Sequence, residues 1–153
     1  MSEDEDIRRS VEEHGWHAIA VPESERAPEL LYTIGLVSSW NHPELIVFGL
    51  PARTAHSVVS SLIHRIRKHE SFEKTGVHPD LLGDLPLLIR PVHPSQLETY
   101  FGYAMGYYRL VGRPDALRAV QIFWPDRDGV LPNVVKCDPL VAAAQPRLDL
   151  AAV

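Results

Sequence analysis

The chain has 153 residues with 20 acidic and 15 basic side chains, a formal net charge of −5. Hydrophobic residues make up 45% and charged residues 23%, the balance of a globular domain large enough for one continuous core. The acidic balance excludes the basic footprint of a nucleic-acid binder. A single cysteine, Cys137, excludes an internal disulfide framework and any zinc site built on several thiolates.

Taken in chain order, residues 3–14 predict a helix. Ser2 caps it, Glu3, Asp4, Glu5 and Asp6 complement the dipole of its first turn, and Gly15 stands where a left-handed cap residue belongs. This acidic start is unlike the cationic, apolar start of a signal peptide, and no window offers the ~20 apolar residues of a membrane span. A cytoplasmic location with a reduced thiol and no membrane partner is the expectation.

Strand-like runs follow at 16–21, 30–36 and 44–50, the last apolar on both faces as in a strand covered on both sides. Residues 38–43 read as a short connection. Residues 51–70 predict the clearest helix, with Ala55, Val58, Val59, Leu62, Ile63 and Ile66 recurring at three and four. A turn-rich stretch at 71–84 leads to a strand at 85–92, whose two prolines suggest an edge position or a bulge.

Ser95-Gln96-Leu97-Glu98 is a capping box, so a second long helix is expected from Ser95 through Tyr108. Gly102 and Gly106 share a face of it, which close packing would explain. Residues 116–124 predict a strand, and the Asp128-Gly129 turn would send 130–135 back as its hairpin partner. Residues 139–153 read as a partly ordered tail. The fold class expected is α+β, a mainly antiparallel sheet packed by two long helices plus the N-terminal helix, in a single domain spanning 1–138.

No metal and no cofactor is expected. His14 and His17 straddle a predicted helix end, and His64 and His69 lie about 140° apart around a helix. No glycine-rich phosphate cradle and no Gly-x-Ser-x-Gly elbow occurs. What remains are polar and aromatic groups at strand ends. If the strands starting near 30, 44 and 116 are neighbours, their ends can gather His42, Asp126 and Tyr32. An imidazole and a carboxylate then form a general acid/base pair, with the phenol orienting a substrate. Tyr108, Arg109, Gln121 and Trp124 would line the wall, Arg109 holding an anionic group. The competing reading is structural: His42 caps a turn, Gln121 satisfies a strand backbone and Asp126 initiates the hairpin.

Several stretches occur together in a recognisable order: His14-Gly15-Trp16-His17, Leu31-Tyr32-Thr33-Ile34-Gly35-Leu36, His42-Pro43-Glu44-Leu45, Arg90-Pro91-Val92-His93, Tyr107-Tyr108 and Gln121-Ile122-Phe123-Trp124-Pro125-Asp126. On these the chain resembles the bacterial family catalogued as domain of unknown function 4262, from about Ile7 to Asp138. The resemblance implies no activity, cofactor or catalytic residue. It departs from the family pattern at Leu131-Pro132-Asn133, where an aromatic-Pro-Trp usually follows the glycine turn, so a pocket there would differ in this chain.

Two functions follow as expectations. One is a metal- and nucleotide-independent enzyme using general acid/base chemistry on a small molecule or peptide. The other is a non-catalytic ligand- or protein-binding module, of a partner or immunity type, whose acidic surface suits a basic partner. Self-association as a homodimer through an exposed strand edge is compatible with both.

Overall fold

The computed structural model describes residues 2–153. Its six-stranded sheet comprises β1 (His17–Val21), β2 (Leu30–Ile34), β3 (Glu44–Phe48), β4 (Gly76–Leu82), β5 (Leu85–Pro91) and β6 (Ala119–Phe123), in the order β1-β2-β3-β6-β5-β4. Every pairing is antiparallel except β3 with β6, which is parallel. The architecture is α+β, in a single domain.

Side chains alternate across the sheet. Leu31, Leu45, Val47, Val120 and Ile122 face α3 (Ala52–Ile66), whose predicted stripe is buried against them. Leu30, Tyr32, Ile34, Ile46 and Phe48 face the opposite layer, built from α1 (Glu3–His14), α4 (Leu97–Tyr100) and α5 (Gly102–Leu110). Burying each large apolar side chain in these two layers contributes about 1.5–3 kcal/mol. Two short helices complete the fold, α2 (Leu36–Trp40) and α6 (Pro139–Ala143).

Several differences from the sequence reading have physical causes. The run at 30–36 stops as a strand at Ile34, because Gly35 takes φ +113° and turns the chain into α2. The expected second long helix is broken. A 3₁₀ turn at Pro94–Gln96 and α4 end at Phe101, whose φ −113° and ψ +35° are not helical, and α5 restarts at Gly102. The Ser95 hydroxyl bonds His93 Nδ1 and the Ala152 N–H instead of closing a capping box. Nothing lies within 4 Å of a Cβ built on Gly102, so close packing does not account for it.

Residues 130–135 form no strand. Both edges of β6 are occupied, by β3 and β5, and no ladder position is left for a hairpin partner. The strand at 85–92 is internal, the edge belonging to β4 from the stretch read as turns; the β4–β5 register is irregular between His78 and Leu82.

Residues 139–153, expected as a tail, fold back along the sheet. Leu148 is buried in the α1/α5 layer, and its backbone carbonyl accepts from His93 N at 2.7 Å.

Candidate functional site

Parallel pairing of β3 with β6 decides where the predicted site residues fall. His42 precedes β3, at the end of the sheet where β6 begins. Asp126 follows β6, at the other end. Five residues at about 3.3 Å each separate them by roughly 16 Å of strand. The faces differ as well: Tyr32 packs on Phe101 in the α5 layer, with ring centroids 4.9 Å apart, whereas His42 packs on Phe72 in the α3 layer. The structure does not bring His42, Asp126 and Tyr32 to a shared hollow.

Each of the three is instead engaged by backbone. Phe72 N–H donates to His42 Nε2 at 2.9 Å, which places the ring proton on Nδ1, 2.8 Å from the Pro43 carbonyl. Both imidazole nitrogens are thereby occupied, and burial holds the pKa of His42 below its ordinary value. Asp126 accepts from Asp138 N, Val130 N and Asp128 N, each at 2.9 Å, and these donors hold its carboxyl below the usual range. The Tyr32 hydroxyl accepts from Tyr103 N at 3.2 Å, satisfying the first turn of α5. Burial pushes its pKa up to about 12.

The residues expected to line a wall are similarly dispersed. Gln121 donates to the Pro146 carbonyl and accepts from Leu148 N, so its buried amide holds the C-terminal segment as a neighbouring strand would. Trp124 donates from Nε1 to the Phe48 carbonyl at 2.7 Å, while its own backbone pairs with the Gln145 amide. Arg109 is exposed on α5. Tyr108, one residue earlier, points inward and is completely buried.

Tyr108 leads to the group that the sequence reading missed. Glu44, the first residue of β3, has no exposed surface. Its carboxylate accepts from Thr33 Oγ1 at 2.8 Å, from Gly35 N and Leu36 N at 3.1 Å, from Val37 N at 3.2 Å, and from the Tyr108 hydroxyl. The carboxylate thus caps α2 and ties β2, β3 and α5 together. Burial pushes the Glu44 carboxyl above its ordinary value against the pull of these donors. The phenol of Tyr108 is raised in turn, by its own burial and by the carboxylate beside it. The available signal was an acidic residue opening a run apolar on both faces, because a buried carboxylate requires donors.

Immediately outside this network lies an open groove of about 690 Å³ between α2 and the turn that ends α3. Ser38, Asn41, His69, Glu70, Glu73 and Arg113 line it, with His42 at its floor. Asn41 and His69 both have left-handed backbones, φ +50° and +72°, and are the only non-glycine residues so placed among those described. Arg118 spans Asn41 and Glu73, bonding Glu73 Oε1 at 3.1 Å, and Glu70 lies 3.7 Å from Arg65. No carboxylate pairs with Arg113 among the described residues. Ser38, exposed on the groove side of α2, bonds the Gly35 carbonyl at 3.1 Å and the Tyr107 hydroxyl at 3.3 Å.

The family model described as domain of unknown function DUF4262 matches residues 10–138. The chain belongs to this family. No curated protein and no solved structure matches it. In this DUF4262 chain three of the stretches that carry the resemblance converge on one carboxylate: Thr33 and Gly35 from the second, Glu44 from the third and Tyr108 from the fifth. Among the described residues no group of three or more His, Cys, Asp or Glu is arranged to hold a metal, and no helix is long and apolar enough to cross a membrane.

Proposed function

We propose that this DUF4262 domain is a binding module for a small zwitterionic molecule or short peptide, held in the groove between α2 and the end of α3. The observation that carries this reading is an exposed guanidinium without a carboxylate partner, Arg113, facing Glu70 and Glu73 across a groove of about 690 Å³. That volume lies in the range of roughly 300–1,000 Å³ typical of small-molecule sites. Arg113 offers a fork for the ligand carboxylate, and the two glutamates supply negative potential for its ammonium. The Glu44 network underlies one wall and fixes α2, so the groove is preformed.

A second reading, catalysis, is favoured by Ser38, whose exposed hydroxyl lines the groove and bonds the Tyr107 hydroxyl at 3.3 Å. In that reading Ser38 presents a proton-exchanging hydroxyl to the ligand, and Tyr107 is the positioning residue behind it. A cytoplasmic location belongs to either reading.

The test is saturation-transfer NMR of the purified protein with the twenty free amino acids and with trialanine. Saturable transfer to at least one probe, lost in Arg113→Ala with the melting temperature unchanged, supports the binding module. Transfer that Arg113→Ala leaves intact, or none to any probe, refutes it. Turnover of a bound probe that stops in Ser38→Ala favours the catalytic reading.

A further inference from the structure

A second concave surface, lined by none of the groove's residues, has a different chemistry. Two adjoining hollows of about 470 and 250 Å³ share Trp16, the residue before β1. The first lies against the last turns of α3, the second against the end of α1. Between them they present His14, His17, His56, His64, Arg67 and Lys68, and no Asp or Glu lines either hollow. Two of these, Arg67 and Lys68, are cations at neutral pH, on a chain whose net charge is −5 with histidines counted neutral.

The Trp16 ring is half-buried and lines both hollows. The His56 ring lies 5.3 Å from it, tilted by 32°. The adjacent Arg67 guanidinium sits 5.5 Å over the Trp40 ring. At the α1 end Glu13 is engaged with His14, and Glu3 and Asp6 act on His17. The positive potential is therefore least compensated at the α3 end, around His64, Arg67 and Lys68, none of which pairs with a carboxylate among the described residues.

We infer that this surface is a binding site for a planar aromatic anion. The ligand ring stacks on or beside Trp16, and its anionic group reaches Arg67 and Lys68. An aromatic floor supplies apolar area and a π face at low entropic cost. A rim of one sign selects charge and steers the encounter. A neutral aromatic gains only the first contribution, and a non-aromatic anion only the second. The shared chemistry fits an aryl carboxylate or a nucleoside phosphate, and the probes below separate them. The inference does not rest on the Arg113 groove, with which it shares no lining residue.

The test is isothermal titration of the full chain with indole-3-acetate, AMP, neutral indole and acetate at low ionic strength. At least one of the two aromatic anions is expected to bind saturably, and at least about tenfold more tightly than indole or acetate. Binding weakens by about tenfold in Arg67→Glu/Lys68→Glu, because two favourable charge contacts become repulsive. Salt weakens it further. Lys68→Glu alone serves where the double variant melts early, with roughly a threefold loss expected. Tighter indole-3-acetate than AMP identifies the carboxylate source, and the reverse the phosphate source. Absence of saturable binding by both anions, equal binding of neutral indole, or affinity unchanged by charge reversal overturns the proposal. Arg113→Ala leaves this binding intact, so failure here and failure of the groove are separately visible.

Discussion

Replacing Glu44 by alanine withdraws the acceptor from five donors at once: the Thr33 and Tyr108 hydroxyls and the Gly35, Leu36 and Val37 amides. The hydroxyls can rotate in search of other acceptors. The three amides have no such freedom, because they open α2. A buried donor left unsatisfied costs about 1–3 kcal/mol, and relief from burying the carboxylate offsets part of the sum. The net destabilisation expected is about 3–5 kcal/mol, which at 2–4 °C per kcal/mol for a chain of this size lowers Tm by about 6–20 °C. Glu44→Gln keeps the shape and one acceptor oxygen, so its loss is smaller. The pH dependence separates the two contributions. Burial raises the native-state pKa above the unfolded value, so the native carboxyl retains a proton that the unfolded chain has released. Stability from this group is full below the unfolded pKa of about 4.3 and declines as pH rises through the native value, and Glu44→Gln abolishes that slope. Chemical denaturation from pH 4 to 8, with calorimetry at neutral pH, measures both effects. A Glu44→Ala variant melting within about 2 °C of the parent refutes the assignment of Glu44 as the hub of this end of the fold.

Three further outcomes follow from the same geometry. On alkaline titration followed at 295 nm, Tyr32 and Tyr108 ionise later than exposed tyrosines, Tyr32 near pH 12. With the native pKa raised above the unfolded value of about 10, Tyr32 contributes roughly 2–3 kcal/mol of stability that is present below pH 10 and lost towards pH 12; ionisation of all five tyrosines near pH 10 without unfolding contradicts this. Burial lowers the pKa of His42, so it takes up its proton at lower pH than in the unfolded chain; its contribution is full above the unfolded value of about 6.5 and falls as pH drops. Imidazole NMR resonances of His42 that titrate with those of exposed histidines refute the Phe72 N–H···Nε2 assignment. Leu148→Ala removes a buried contact from the α1/α5 layer and costs about 2–3 kcal/mol by urea denaturation, whereas a cost near zero shows that residues 145–150 do not dock on β6.

Much of the scaffold is legible in local sequence because its determinants are local. The stripe from Ala55 to Ile66 fixes which face of α3 is buried, and the run at 44–50, apolar on both faces, marks β3 as a strand covered on both sides. The misread elements are those set at long range. Helix α2 is invisible in residues 36–40 because its cap is the side chain of Glu44, which arrives only after the helix has ended. The break at Phe101 is accompanied by the Tyr32 hydroxyl at the start of α5, 71 residues away in sequence. The strands starting near 30, 44 and 116 are neighbours, which the sequence reading could only suppose, and the direction of β6 against β3 had no local signal. That direction separates Asp126 from His42. The polar side chains drawn together for catalysis were each matched to a backbone donor or acceptor elsewhere, a distinction that residue identity alone does not carry.

The central claim is that ligand occupies the groove between α2 and the end of α3. Amide chemical-shift mapping during titration with the best-binding amino acid or trialanine tests it most directly. The account predicts saturating shifts confined to residues 37–42, 69–73 and 113, with the Glu44-bonded amides of Leu36 and Val37 moving in step. Shifts clustered around Trp124 and the 126–138 loop, or none near Arg113 at saturation, would contradict it.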